Sequence, residues 1–113
     1  MTTAIDTATL PQVTLGKTGA EVPLLGLGTA PGGFGLEDTA AIELFERAID
    51  LGLTYVDTAP GYERAQSQLK HIVPRRRDEL FLVSKTHTAE YQEALDQVAK
   101  NRQALGTDLL DLM

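Results

Sequence analysis

The sequence contains no cysteine and only two histidines. Without cysteine, the chain can form neither a disulfide nor a thiolate metal site, and it cannot use a cysteine nucleophile. Two histidines are too few for a metal site built mainly from imidazole ligands. We therefore predict that the protein has no metal site.

Long apolar stretches and excess positive charge are also missing. No apolar run approaches the ~20 residues that span a bilayer, so we predict no membrane segment. The 16 acidic residues outnumber the 10 basic ones and give a net charge of −6, which disfavours binding to nucleic acid. Residues 1–12 include an acid and no base, unlike a signal or transit peptide. Together these features predict a cytoplasmic protein.

The length of 113 residues leaves room for one domain of ordinary size. We predict a disordered tail over residues 1–11 and a folded part over residues 12–113. The segment Gln12–Val22 contains the turn sequence Gly16-Lys17-Thr18-Gly19 between two short runs suited to strands. It predicts a small hairpin that precedes the rest of the fold.

Four short apolar runs then recur at a nearly constant interval. Their continuous apolar character is typical of parallel strands that are buried on both faces. Segments with helical spacing separate them, which predicts repeated strand–helix units around a parallel sheet. The runs begin 29, 27 and 29 residues apart and are Leu24–Leu27, Leu53–Val56, Leu80–Val83 and Leu109–Met113.

Capping and stop residues predict where the intervening helices begin and end. We expect Asp38 to cap the first helix and Gly52 to end it in a left-handed conformation. The middle helix should span about Ala65–Val73 and stop at Pro74. Thr88 should cap the third helix.

Two architectures fit this repeat, an open doubly wound sheet and part of an eightfold barrel. Eight units of about 28 residues would give about 225 residues, close to the usual size of a (β/α)₈ barrel. In the second case the α/β chain is the N-terminal part of a TIM barrel with a preceding β-hairpin, truncated in the fourth strand. Its open sheet edges could then be covered by self-association.

Candidate catalytic and binding residues follow the carboxyl ends of the predicted strands. Gly28 and Thr29 follow the first strand, Asp57 the second and Lys85 the third, while Tyr62 lies in the loop after the second. Active sites of repeated strand–helix folds collect at this end of the sheet. An Asp and a Lys on adjacent strand ends can pair, and an ammonium beside a phenol favours its ionised form. Tyr62 is therefore a candidate general acid.

Each of these residues has a simpler interpretation when it is considered alone. Asp57 could cap its own loop, Tyr62 could be a packed aromatic, and Lys85 could be a solvated charge. Their combination and order favour a catalytic set. The glycines near Gly28 do not form a dinucleotide fingerprint, because Pro31 stands where that motif needs glycine or alanine.

These sequence motifs resemble those of the aldo-keto reductases, which are NADPH-dependent oxidoreductases built on a (β/α)₈ barrel. The resemblance covers about residues 12–113 and follows the order of the family's motifs. The segments that carry it are Leu15-Gly16-Lys17-Thr18-Gly19, Val22-Pro23, Leu25-Gly26-Leu27-Gly28-Thr29, Gly52-Leu53-Thr54-Tyr55-Val56-Asp57-Thr58-Ala59 with Tyr62, Ser84-Lys85, and Leu105-Gly106-Thr107-Asp108 with Leu110-Asp111-Leu112.

The resemblance implies a function for each candidate residue. Asp57 would hold Lys85, Lys85 would favour ionisation of Tyr62, and Tyr62 would protonate the oxygen of a small carbonyl substrate, an aldehyde or ketone. NADPH would be the cofactor, and Gly28, Thr29 and Asp57 would lie near its nicotinamide ring.

The sequence departs from the family pattern in two respects. The family's fourth catalytic residue, a His, follows the fourth strand, and the later half of the barrel holds most of the cofactor, whereas this sequence ends at Met113. We therefore expect the chain alone to be inactive. After Tyr62, the family usually has Gly, any residue, Ser and Glu, and this chain has Glu63-Arg64-Ala65-Gln66.

Two other functions fit parts of the sequence. A non-catalytic barrel remnant could act as an assembly or binding module. A small doubly wound domain could use Asp57 as a phosphate acceptor or metal ligand, although the sequence lacks the further clustered carboxylates that such a site needs.

Overall fold

The structure is a computed structural model that describes residues 10–113. The tail predicted over residues 1–11 therefore lies outside the described residues, except for Leu10 and Pro11. Within residues 10–113, no helix is both long and apolar enough to cross a membrane.

A hairpin lies near the start of the described residues, as predicted. Strand β1 (Gln12–Thr14) pairs antiparallel with strand β2 (Glu21–Pro23). Gly16 and Gly19 lie in the turn with φ angles of 52° and 77°. Glycine adopts such left-handed backbone conformations without the steric cost that a side chain would add.

A three-stranded parallel sheet follows, as the repeat predicts. Its strands are β3 (Leu27–Gly28), β4 (Tyr55–Asp57) and β5 (Phe81–Val83), in that order across the sheet. Val83 also forms a parallel bridge to Leu112, at the position of a fourth strand. The carboxyl ends of neighbouring strands consequently lie along one edge of the sheet.

The first and fourth apolar runs are less regular than predicted. Leu24 and Leu25 lie outside β3 and are 67% and 58% exposed, so the prediction of a buried strand over Leu24–Leu27 is wrong. The amide of Leu24 donates to the carbonyl of Pro11, which keeps this segment with the hairpin. In Leu109–Met113, Leu112 forms a single bridge to Val83, and the amide of Asp111 donates to the carbonyl of Leu82 at 2.9 Å, so this run is not a regular strand.

Within residues 10–113, five α-helices pack around the sheet, and the first and fourth of them were not predicted from the sequence. Helix α1 takes up the glycine-rich segment after β3, with Pro31 in its first turn, where a missing backbone donor costs nothing. The helices are α1 (Ala30–Gly35), α2 (Asp38–Asp50), α3 (Ala65–Leu69), α4 (Val73–Arg76), which a 3₁₀ turn (Arg77–Glu79) follows, and α5 (Tyr91–Leu105).

The prediction that Asp38 caps α2 is wrong. Glu37 occupies the cap position without a side-chain bond to the backbone, and Asp38 is the first helical residue. The Asp38 carboxylate accepts hydrogen bonds from Arg64 Nε at 3.1 Å and from Gln68 Nε2 at 3.0 Å. These distant partners compete with the local cap. Gly52 follows the helix with φ of 100°, as predicted.

The predicted start of α5 is also corrected. Thr88 does not cap the helix; Glu90 does, and its carboxylate accepts from the amides of Gln92 and Glu93 at 3.1 and 2.7 Å. The Thr88 hydroxyl instead accepts from the amide of Glu90 at 3.1 Å. It therefore fixes the residue before the helix.

The middle helix is shorter than the prediction of Ala65–Val73. Helix α3 ends at Leu69, and a separate short helix, α4, begins at Val73. Pro74 lies in the first turn of α4 and does not stop a helix there, because the first-turn amides need no intrahelical acceptor.

The core lies between the sheet and the helices. Val56 and Leu82, the middle residues of β4 and β5, are fully buried on the helix-facing side. Because successive strand residues point to opposite faces, Tyr55 and Asp57 face the other side, where the ring of Tyr55 stacks on Phe81 at 5.1 Å. The buried core cluster comprises Ala41, Phe45, Ile49, Val56, Leu69, Ile72, Val73, Leu80, Leu82 and Leu105, with Ala41 and Phe45 from the inner side of α2.

Candidate active site

An ion pair joins the ends of two neighbouring strands. Asp57 is the last residue of β4, and Lys85 lies two residues beyond the end of β5. The Lys85 Nζ atom lies 2.5 Å from Asp57 Oδ1 and donates a second hydrogen bond to the carbonyl of Thr58 at 3.0 Å. The two paired side chains are 38% and 34% exposed, so both the ammonium and the carboxylate remain within reach of solvent.

Tyr62 completes the group that the sequence predicts. Its hydroxyl donates to Asp57 Oδ2 at 3.4 Å, and Lys85 Nζ lies 4.9 Å from the centre of its ring. The loop after β4 thus returns the half-buried phenol to the strand ends. The structure brings Asp57, Tyr62 and Lys85 together, although their catalytic functions stay predictions.

The surroundings of Lys85 affect its protonation. Partial burial disfavours the charged ammonium, but the contacts with Asp57 and Tyr62 and the negative charge of Asp57 outweigh it. The pKa of Lys85 is consequently raised above its ordinary value, and the side chain is a cation at neutral pH. A cation beside a phenol is the arrangement that stabilises a developing phenolate.

Gly28 and Thr29 border the same strand ends in different ways. Thr29 is fully buried, and its amide and hydroxyl both donate to the carbonyl of Asp57, at 3.1 and 2.9 Å. Gly28 pairs in register with Asp57, and a Cβ at this glycine would meet nothing within 4 Å. Gly28 thus leaves open space beside Asp57, whereas Thr29 holds the Asp57 backbone through two hydrogen bonds.

Helix α1 supports the loop that carries Tyr62, a contact that sequence reasoning missed. A Cβ at Gly33 would lie 2.0 Å from the carbonyl oxygen of Tyr62, so the two backbones are in direct contact. Arg64, two residues after the tyrosine, donates through Nη2 to the carbonyl of Leu36 at 2.5 Å. The adjacent glycines of the segment Gly32-Gly33 were the available signal for this close packing.

Buried polar side chains support the segment that carries Lys85. Ser84 Oγ donates to Gln66 Oε1 at 2.7 Å, and Gln66 Nε2 donates to Asn101 Oδ1 at 3.3 Å. Asn101 Nδ2 then donates to the carbonyl of Lys85 at 2.8 Å. Asn101 lies four residues before Leu105 on the inner side of α5, but this position alone does not predict its partners.

No metal site accompanies these groups in residues 10–113, where no three His, Asp or Glu side chains are placed to hold one ion. The Asp57 carboxylate accepts hydrogen bonds from the Lys85 ammonium and from the Tyr62 hydroxyl. These contacts place a positive charge next to a phenol at the strand ends.

Comparisons with known proteins identify the family of this chain. The model of the aldo/keto reductase family matches residues 24–113. Aldo-keto reductase YhdN from Bacillus subtilis is 32% identical over 118 aligned positions, which cover 87% of this chain and 35% of the relative. The chain therefore spans about a third of the length of this curated relative, and it belongs to the aldo/keto reductase family.

Solved structures of aldo-keto reductases share the fold of this chain. An aldo/keto reductase from Klebsiella pneumoniae, solved in complex with NADP and acetate, matches 82% of this chain with a TM-score of 0.66 and 31% identity. An aldo-keto reductase from Bacillus halodurans matches 89% with a TM-score of 0.76 and 22% identity. The alignments cover 35% and 38% of those chains, so the described fold corresponds to part of a TIM barrel.

Proposed function

We propose that this chain supplies the acid–base group of an NADPH-dependent reductase of small aldehydes or ketones, with Tyr62 as the general acid. The observation that carries the proposal is the convergence of three side chains at adjacent strand ends. Asp57 lies 2.5 Å from the Lys85 ammonium and 3.4 Å from the Tyr62 hydroxyl. Membership of the aldo/keto reductase family supports oxidoreductase chemistry.

In the proposed reaction, the proton moves from Tyr62 Oη to the oxygen of the substrate carbonyl. The phenolate that remains is stabilised by the Lys85 ammonium, which lies over the same ring. Asp57 pairs with that ammonium through its Oδ1 atom and favours its charged form. The phenol proton is later restored from solvent, which the half-exposed ion pair can reach.

The proposed cofactor suits the open side of the strand ends. A bound nicotinamide would supply hydride to the carbonyl carbon. Gly28 offers a surface without a side chain next to Asp57, which fits a flat ring, and this open space supports the proposal. The Klebsiella pneumoniae relative was solved with NADP, which supports the same class of cofactor for this chain.

A chimeric barrel tests the function of Tyr62. This chain would replace the matching third of the Bacillus subtilis relative, and the loss of NADPH absorbance would be followed with a panel of aldehydes and ketones. Because a general acid contributes about 10²- to 10⁴-fold, Tyr62→Phe should lower turnover by at least about 100-fold. It should leave NADPH binding, measured by the quenching of NADPH fluorescence, nearly unchanged.

Tyr91→Phe is the matched control, because Tyr91 is 76% exposed and begins the outer helix α5. This variant also loses one phenol hydroxyl, but at an exposed position, and it should keep full turnover. Retained turnover in Tyr62→Phe would refute the assignment of the acid. The 113-residue chain, assayed in parallel, is proposed to be inactive by itself, and turnover by that chain would refute this part of the proposal.

A further inference from the structure

We propose that Gln66, Ser84 and Asn101 form a positioning network for Lys85. This network fixes the main chain of the lysine so that its ammonium contacts Asp57 next to the Tyr62 ring. The inference rests on the proposed function, because it concerns the same lysine. It assigns these three buried side chains to the geometry of the site, although none of them touches the reacting groups.

The network is continuous and buried. Asn101 and Ser84 are fully buried and Gln66 is 7% exposed. Asn101 belongs to α5, Ser84 follows β5, and Gln66 belongs to α3. Ser84 bonds to Gln66 at 2.7 Å and Gln66 bonds to Asn101 at 3.3 Å. Asn101 then bonds to the carbonyl of Lys85 at 2.8 Å. Buried polar groups are costly unless they are paired, and these three bonds link the Ser84 hydroxyl to the carbonyl of Lys85. Gln97 Nε2 donates a further bond to Asn101 Oδ1 at 2.9 Å, which also helps to hold Asn101 in place.

The backbone before the lysine is held from the other side as well. The amide of Ser84 donates to the carbonyl of Leu112 at 3.1 Å, in the neighbouring strand position. Main-chain groups on both sides of the Ser84–Lys85 peptide are therefore fixed. The side chain of Lys85 is the part that remains free to reach the site.

The ion pair needs this support because of its exposure. Half-exposed pairs stabilise a single geometry only weakly, since water screens them and both side chains lose rotamer freedom. The side chain of Lys85 is 38% exposed, yet its ammonium lies within 2.5 Å of one carboxylate oxygen. A fixed main chain removes one source of freedom and favours the paired rotamer.

Nuclear magnetic resonance of the lysine side-chain ammonium tests the proposal in the complete 113-residue chain. The rate at which Lys85 ammonium protons exchange with water would be measured at mildly acidic pH, with the signal assigned by its loss in Lys85→Arg. Asn101→Ala and Gln66→Ala should raise this exchange rate by up to about fivefold. That increase corresponds to the loss of an ion pair as exposed as the one between Lys85 and Asp57.

Gln68→Ala is the matched control. Gln68 lies two residues from Gln66 on α3 and is also buried, but its amide nitrogen donates to the carbonyl of Gly32 and to Asp38. It should leave the exchange rate of Lys85 unchanged. Equal acceleration in Gln66→Ala and Gln68→Ala would show general loosening and overturn the proposal.

Asp57→Asn separates this inference from the proposed function. If Asp57→Asn speeds the exchange and Asn101→Ala does not, the positioning network is refuted while the ion pair stands. If Asp57→Asn has no effect, the pair itself is absent, which contradicts the proposed function too. Should Asn101→Ala fail to fold by circular dichroism, Ser84→Ala, which removes only one hydroxyl, should still speed the exchange, and an unchanged rate would overturn the proposal.

Discussion

The contact between α1 and the Tyr62 loop leads to the prediction that Gly33→Ala strongly destabilises the chain. The added Cβ would lie 2.0 Å from the carbonyl oxygen of Tyr62 and 2.8 Å from the amide nitrogen of Ala65. Close carbon–oxygen contacts in proteins are about 3.3 Å, so the two backbones must separate by more than about 1 Å. Both obstructing atoms belong to the main chain and cannot rotate away.

The expected loss follows from the kind of clash. Overpacking in a well-packed interior costs about 1–3 kcal/mol, and we expect about 3 kcal/mol here because no flexible side chain can absorb the contact. Urea unfolding followed by circular dichroism would measure the free energy of unfolding. In the chimeric barrel, the same substitution should lower turnover, since it displaces the backbone of Tyr62.

Gly35→Ala provides the control in the same helix. A Cβ at Gly35, the last residue of α1, meets nothing within 4 Å, and its φ is not left-handed. The substitution should leave stability unchanged or raise it by up to about 1 kcal/mol, because alanine restricts the unfolded chain. Similar unfolding free energies for the two alanine variants would refute the close-contact explanation.

Two further substitutions test strain and pairing by the same unfolding measurement. Glu63 has φ of 53°, a left-handed conformation that costs a side chain about 1–2 kcal/mol. Glu63→Gly removes this cost but loses more chain entropy on folding, so it should stabilise the chain by about 0.5 kcal/mol. A gain of the same size in Glu63→Ala, which keeps a side chain at this φ, would contradict the strain. The carboxylate of Asp111 accepts from the amide of Leu82 and from Arg77 Nη2, each at 2.7 Å. Asp111→Ala leaves both donors unpaired and should cost about 2–3 kcal/mol, and a loss below about 0.5 kcal/mol would show that water replaces the carboxylate.

Local sequence features predict those parts of the fold that local physics determines. Gly52 ends α2 with φ of 100°, because a residue without a side chain is suited to that backbone. The cap of the same helix was mispredicted, since Asp38 bonds to Arg64 and Gln68, which lie 26 and 30 residues away. A choice between neighbouring acidic residues therefore depends on contacts that only the folded chain supplies.

Some contacts of the candidate site could likewise be predicted from the sequence, and others could not. The meeting of Asp57 and Lys85 could be predicted, because adjacent parallel strands place their carboxyl ends along one edge. The network through Gln66 and Asn101 could not, because a polar residue on the inner side of a helix looks like an interruption of the apolar pattern until its partner is known.

The geometry of the site is therefore determined mainly by the backbone that carries it. Water reaches the pair between Asp57 and Lys85, so the attraction between them is too weak to impose one arrangement. The loop of Tyr62 is instead fixed by its contact with Gly33, and the Lys85 main chain by Asn101. Substitutions among these uncharged, buried supports should consequently move the phenol and the ammonium relative to each other more than changes on the exposed helix faces do.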